Sequence, residues 1–248
     1  MFNFFVPGSS RRDDCYYIEG ADHNHISNVL RMKEGDRIFV SENGVSSLCE
    51  LVSIDSCCAV ARIIEENCQN TELPVEIHLF QGLPKADKME LIIQKCTELG
   101  VHRIIPCEMH RCVVKIEEKK KKSKLQRWQA ISESAAKQSK RSLIPAVADI
   151  LPFALLKEEI KKYDMFLFPY ENEKGMSATK QALEKIAKGM KIGILIGPEG
   201  GFEEKEKNQL IEIGAIPLSL GSRILRTETA AITAVGMCML HIEMNIKD

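Results

Sequence analysis

The fold class that this sequence predicts is α/β, with a small β-rich domain ahead of a larger domain of alternating strands and helices. Three observations carry it. Residues 36–64 contain three short runs of strand-forming residues separated by turn signals. From residue 75 onward, short apolar runs alternate with segments of helical period, the order that builds an α/β domain. Between the two patterns lies residues 65–73, a polar stretch without periodicity that reads as a linker. At 248 residues the chain is long enough for two modest domains, each with its own core. The expected division is 1–70 and 74–248.

In the first domain, strands are expected over 36–40, 46–54 and 57–64, punctuated by Glu42-Asn43-Gly44 and Asp55-Ser56. One helix, 22–31, interrupts them, with Ile26, Val29 and Leu30 on a shared face. The second domain opens with a strand at 75–81 and a helix at 86–99. Met89, Ile92, Ile93, Cys96 and Leu99 fall at helical spacing on the buried side, with Lys85, Lys88, Lys95 and Glu98 off it. Gly100 ends that helix, and a strand at 101–106 follows. Residues 122–140 read as a helix with Leu125, Trp128, Ile131, Ser132 and Ala135 turned inward. From Phe153 the order is helix, strand (164–169), helix (177–188), strand (192–196). A strand at 216–220 and a last helix, 227–244, close the domain, with Thr227 as a plausible N-cap. Ala230, Ala231, Ala234 and Gly236 on this helix imply a closely packed neighbour.

The composition is ordinary for a globular protein, with 44% apolar and 28% charged residues. No apolar run approaches a membrane span, and Met1-Phe2-Asn3-Phe4-Phe5 lacks the basic and long apolar regions of a signal peptide. Nine scattered cysteines without a Cys-x-x-Cys pair suit reduced thiols in a cytoplasmic protein better than a metal or disulfide framework. The net charge of −1 is uneven: residues 1–70 carry 6 basic against 11 acidic side chains, and residues 85–141 carry 15 against 7. One basic segment in a near-neutral chain suggests a localised polyanion contact.

Two loops carry the chemistry. After the 192–196 strand comes Gly197-Pro198-Glu199-Gly200-Gly201, and after the 216–220 strand comes Gly221-Ser222-Arg223-Ile224-Leu225-Arg226-Thr227-Glu228. A strand, a glycine loop and a following helix with early acids make a turn that lets a ligand approach the main chain. No Lys-Ser/Thr follows the glycines, so this is not a phosphate loop. Glu199 suits an uncharged or cationic ligand. Arg223 and Arg226 point instead to an anionic or polarised substrate, and the absence of a phosphate-loop lysine or an acidic metal cluster disfavours a nucleotide hydrolase.

The pair IGPEGGF (196–202) and LGSRILRTETA (220–230) resembles the ribosomal RNA uracil-N3 methyltransferases of the SPOUT class, the RsmE family. HISNVLRMKEGD (25–36), the segment 85–106 and the segment 127–145, which includes RWQAISESAAKQSKR, resemble further motifs of the same family, so the likeness runs along nearly the whole chain. Asn3 departs from it, standing where relatives usually have arginine. The resemblance implies a PUA-like RNA-binding β-barrel at the N-terminus, a SPOUT α/β domain with a C-terminal trefoil knot, and a homodimer. It implies S-adenosylmethionine as cofactor, clamped by Phe168 and Pro169, by Ile196, Gly197, Pro198, Gly200 and Gly201, and by Leu220, Gly221, Ile224 and Leu225. It makes His25, Arg31, Lys85, Lys88, Lys95, Arg111, Gln138 and Arg141 candidate RNA contacts. The implied substrate is small-subunit (16S) ribosomal RNA, within the assembled or assembling 30S subunit, and no membrane is involved.

The implied reaction is transfer of a methyl group to N3 of a uridine, so the site needs donors for O2 and O4 of the developing anion and a proton acceptor. Arg226 is the candidate for the oxygens, and Glu228 or Glu199 for the proton. N3 lies on the pairing edge, so the base must be unpaired or flipped. Two alternatives remain at this point: a SPOUT methyltransferase of other specificity, such as ribose 2′-O, and a catalytically silent RNA-binding ribosome-assembly protein.

Overall fold

The computed structural model describes residues 1–68, 71–173 and 175–246. Its contacts divide the chain into two compact units, residues 1–72 with 136–144, and residues 73–135 with 145–248. The expected linker at 65–73 includes Gln69 and Asn70, which lie outside the described residues.

In the first unit, β1 (Asn3–Phe5), β2 (Arg11–Arg12), β3 (Cys15–Glu19), β4 (Arg37–Glu42), β5 (Val45–Ile54) and β6 (Cys58–Glu65) form one sheet. Its order is β1-β4-β5-β6-β3-β2, antiparallel except where β1 runs parallel to β4. Alternation builds the core: Tyr16 and Ile18, Ile38 and Val40, Cys49 and Leu51, Ala59 and Ala61 each send every second side chain inward. Phe4 and Ile26 complete it.

The helix expected at 22–31 is shorter and partly different. α1 (Gly20–Asn24) passes into a π-turn over His25–Val29. Wider i→i+5 closure breaks the three-residue spacing, so Ile26 is fully buried while Val29 is 63% exposed. Arg31 stops the segment in the left-handed region at φ 51°, and the Met32 N–H returns to the Ile26 carbonyl.

Buried polar ties complete this unit. Asn3 is 8% exposed, donates to the Arg141 carbonyl at 2.8 Å and accepts from the Ser41 hydroxyl at 3.0 Å. A short amide here makes two structural bonds within the unit. Arg141 is 2% exposed and its guanidinium grips Glu72, whose Oε1 also accepts from the Ser142 N–H at 2.9 Å and the Leu143 N–H at 3.2 Å.

The second unit is a sheet in which every pairing is parallel. β7 (Glu76–Gly82), β8 (Arg103–Glu108), β9 (Ala146–Val147), β10 (Leu151–Pro152), β11 (Met165–Pro169), β12 (Lys191–Ile196) and β13 (Ile216–Leu218) run in the order β10-β8-β7-β12-β11-β13, with β9 on β8. The helices are α2 (Lys88–Glu98), α3 (Glu118–Gln138), α4 (Phe153–Ile160), α5 (Ser177–Leu183), α6 (Glu204–Glu212) and α7 (Thr227–Asn245). The central strands are near-continuous apolar runs because both faces are covered. One side packs on α2 and α7, which contact each other, and Met89, Ile92, Ile93, Ala231, Ala234 and Val235 from the two helices belong to one buried cluster.

Three helix boundaries differ from expectation. α2 starts two residues late because Ala86 sits at φ 53° and cannot be helical. α3 starts four residues early, since Lys120 and Lys121 pair with Glu117 and Glu118 at i,i+3 spacing and so tolerate a lysine-rich first turn. α5 ends at Leu183, where tighter turns at Lys185 and Ile186 take over. Among the described residues no helix is long and apolar enough to cross a membrane.

One buried polar group in this sheet predicts a pH dependence. His78 is 5% exposed, with Nδ1 2.9 Å from the Tyr163 hydroxyl. Burial pushes its pKa down to about 3, and Lys191, His102 and Arg103 add like-charge repulsion. Glu76 lies 3.5 Å from Nε2 but its side chain is 57% exposed, too well solvated to reverse this. Between the ordinary histidine value of about 6.5 and about 3, the unfolded chain binds the extra proton. The stability is therefore complete above the upper limit and is lost as pH falls through the window. Urea unfolding of the wild type and His78→Gln at pH 7.5 and 4.5 should show the wild type losing about 2 kcal/mol more on acidification. Parallel losses would refute this role for His78.

Candidate active site

The carboxyl ends of β7, β11, β12 and β13 lie side by side, which is where ligands bind in open parallel sheets. The loops leaving β11, β12 and β13 enclose a cavity of about 1070 Å³. Its walls are Pro169, Tyr170 and Glu171 from the first loop, Ile196, Gly197, Pro198 and Gly201 from the second, and residues 219–226 from the third. That volume suits a cofactor-sized ligand.

Each loop is held from behind. Gly201 takes φ 66°, and Gly200 lies so close to Arg111 that a Cβ there would meet the Arg111 Cβ at 3.0 Å and its carbonyl at 3.3 Å. The Arg111 guanidinium also donates to the Gly200 carbonyl at 2.9 Å. The start of α6 is pinned by Glu206, which accepts from the Glu203 N–H and the His110 N–H, both at 2.9 Å. The third loop hangs on Thr179, fully buried, whose hydroxyl donates to the Ser219 carbonyl and accepts from the Ser219 N–H.

Charge at the mouth is arranged in two groups. Lys88 Nζ lies 2.9 Å from Glu199 Oε1 and 3.4 Å from Glu228 Oε2. Glu199 also accepts from the Lys85 N–H at 3.0 Å. Burial works to raise the Glu199 carboxyl, but the Lys88 and Lys85 donors outweigh it and hold the group below its ordinary pKa. Glu228 Oε2 has an ion-pair neighbour but no hydrogen-bond donor among the described residues. Arg226 occupies the N-cap position of α7, exposed and without an ion pair among the described residues. Beside it Ile224 is 87% exposed on the cavity wall, an apolar surface with no protein group covering it.

Comparison with known proteins agrees with this geometry. The model of the RNA methyltransferase domain matches residues 71–239, and that of the RNA methyltransferase PUA domain matches residues 18–60. The Bacillus subtilis (strain 168) protein named ribosomal RNA small subunit methyltransferase E is 40% identical over 92% of this chain and 91% of its own length. The chain belongs to the ribosomal RNA small subunit methyltransferase E family. A second relative of that name, from Mesomycoplasma hyopneumoniae (strain 232), is 31% identical over 96% of this chain and 99% of its own. The crystal structure of the Neisseria gonorrhoeae ribosomal RNA small subunit methyltransferase E, bound to S-adenosylmethionine, superposes with a TM-score of 0.80 at 30% identity, covering 97% of each chain.

Within this methyltransferase E fold, the structure gathers most of the expected cofactor residues: Pro169, Ile196, Gly197, Pro198, Gly201, Leu220, Gly221, Ile224 and Leu225 all line the cavity. Phe168 and Gly200 do not. Phe168 is fully buried against Phe202, their rings 5.5 Å apart, because its side of β11 faces the core. Gly200 stacks on Arg111 instead of facing the cavity. Arg226 and Glu199 do line it, and Glu228 sits beside Glu199 across Lys88.

The expected RNA contacts divide. Lys85, Arg31 and Gln138 are exposed, and His25 is half-buried with its ring edge-on to Phe4. Lys88 is turned towards the two site carboxylates, and Lys95 is held by both oxygens of Glu98. Arg111 remains exposed, with one of its guanidinium N–H groups bonded to the Gly200 carbonyl. Arg141 is buried on Glu72, where it is a tie within the N-terminal unit and not an exposed cation. Thr227 is corrected too. It is the first helical residue, not the cap, and its hydroxyl is engaged elsewhere. Sequence reasoning missed Glu173, Met176 and Phe202 on the cavity wall, and Thr179 and Gln81 behind it.

Proposed function

We propose that this protein uses S-adenosylmethionine to methylate N3 of a specific uridine in small-subunit (16S) ribosomal RNA. The observation that carries the reading is the three-loop cavity with Arg226 and Glu228 at its mouth. The residues fit the cofactor. Glu171, Glu173 and Glu199 give a lip suited to a sulfonium and an amine, and exposed Ile224 and half-buried Leu225 offer an apolar seat. Bound there, S-adenosylmethionine supplies the electrophilic methyl group.

The chain's own residues do the rest. Arg226 donates to the uracil oxygens on which negative charge develops. Glu228 is the better proton acceptor of the two carboxylates, because Glu199 already accepts from Lys88 and the Lys85 N–H, while among the described residues Glu228 Oε2 accepts no hydrogen bond and has only the Lys88 ammonium at 3.4 Å. The loops position the reacting groups.

The same reading includes a two-domain division at 1–70 and 74–248, a PUA-like barrel that binds RNA, a trefoil knot around the cofactor loops, a homodimer, and action in the cytoplasm on the assembled or assembling 30S subunit. Supporting the knot is the sheet order, in which β13 returns beside β11 after β12 has paired with both β7 and β11. Exposed Arg31 and Lys85, together with the basic balance of residues 85–141, support the RNA contact.

The deciding experiment is transfer from labelled S-adenosylmethionine to small subunits stripped of modification, with the product nucleoside identified chromatographically. Label in 3-methyluridine is expected. Label in a ribose-methylated nucleoside would discard the specificity, and neither transfer nor cofactor binding would leave a silent RNA-binding protein.

A further inference from the structure

Three distant segments meet at one hydroxyl of a cavity-lining residue, Thr227. Gln81, the residue of β7 paired in register with Ile196 of β12, is fully buried. Its Nε2 lies 2.9 Å from the Gly82 carbonyl and 2.9 Å from the Thr227 hydroxyl. Thr227, 5% exposed, places the same hydroxyl 2.7 Å from the Gly197 carbonyl.

The proton positions follow from the partners. A carbonyl only accepts, so the Gln81 amide nitrogen must face Gly82 and the Thr227 hydroxyl must donate to Gly197. The amide's second hydrogen then falls to the Thr227 oxygen, giving one directed chain from Gln81 through Thr227 to Gly197. No other assignment of the amide satisfies all three contacts.

The chain's position gives it a functional meaning. Gly197 opens the glycine loop on the cavity wall, and Thr227 stands between Arg226 and Glu228. We propose that Gln81 and Thr227 are positioning residues that lock the cofactor loop to the reactive pair at the start of α7. Without the hydroxyl, the Gly197 carbonyl and the first turn of α7 lose their common reference. The inference rests on the reading of the cavity as the S-adenosylmethionine site.

The test compares Thr227→Val, which keeps the shape and removes the hydroxyl, with Thr227→Ser, which keeps the hydroxyl. S-adenosylmethionine is titrated calorimetrically into each, kcat is measured on small subunits, and melting is followed without ligand. Thr227→Val should weaken cofactor binding about tenfold, the size of one lost neutral hydrogen bond, and lower kcat further at saturating cofactor. Thr227→Ser should stay within about threefold of wild type. A role in stability alone would move the melting temperature of Thr227→Val and leave Kd and kcat in line with Thr227→Ser, and that outcome overturns the proposal. Gln81→Leu, which removes the amide donors to the Thr227 hydroxyl and the Gly82 carbonyl and keeps the hydroxyl itself, gives the same reading if Thr227→Val does not fold. Wild-type protein that binds no S-adenosylmethionine would instead defeat the cofactor reading itself.

Discussion

Replacing Arg226 by alanine is expected to lower kcat for methyl transfer about 10²–10³-fold while leaving the Kd for S-adenosylmethionine within about threefold of wild type, the size expected for loss of a donor to a developing anion. Arg226 is exposed at the N-cap of α7 and has no ion pair among the described residues, so its guanidinium is uncommitted before substrate arrives. Its removal should leave the loops intact, because what anchors them is Arg111, Thr179 and Thr227. Arg226→Lys should recover only part of the rate, since a compact ammonium cannot offer the paired donors of a planar guanidinium. Single-turnover rates at saturating cofactor, with binding measured separately, separate the two effects. An alanine variant with unchanged kcat, or one whose rate falls only because cofactor is lost, would remove Arg226 from the chemistry.

Arg226 was legible in the sequence because its neighbourhood is local. A strand, three glycines in five positions, a second strand and an arginine ahead of a helix follow one another in a single stretch, residues 192–227. The same holds for the alternating strands of the N-terminal sheet and for the apolar face of α2. What the sequence concealed are partners far apart along the chain. Lys88 meets Glu199 across 111 positions, Gln81 meets Thr227 across 146, and Arg141 meets Glu72 across 69. A lysine on the polar side of a helix reads as an RNA contact until its carboxylates are seen. An arginine in a basic segment reads as surface until it is found buried. Thr227 is the sharpest case, since threonine before a helix ordinarily caps it. Here the hydroxyl is diverted to Gly197, and the cap position passes to Arg226.

Glycine makes the same point, and it yields the second large prediction. Gly236, among the small residues of α7, reads in sequence as a point of close approach, whereas Gly82 reads only as the first residue after the 75–81 strand. The structure reverses their importance. A Cβ at Gly82 would stand 2.7 Å from both N and Cδ of Pro198 and 2.9 Å from Met109 Sδ. The methionine can move, but Pro198 is the second residue of the glycine loop, and its ring nitrogen is main chain. Relief therefore requires the loop to shift away from β7, which carries Gly197 and Glu199 with it. A Cβ at Gly236 would meet Leu99 no closer than 3.7 Å, an ordinary contact. Gly82→Ala is accordingly expected to cost about 1–3 kcal/mol of stability through overpacking. Its displaced loop should also lower methyl transfer about 10²-fold, the usual effect of misplacing a site by about 1 Å. Gly236→Ala should bind and react as wild type, and should gain about 0.5–1 kcal/mol by removing glycine from a helix interior. Melting, cofactor titration and kcat on the two variants in parallel decide the matter. If Gly82→Ala binds S-adenosylmethionine normally, the contact between β7 and the glycine loop does not set the cavity. If Gly236→Ala is the damaging change, α7 packs against something other than Leu99 at that position.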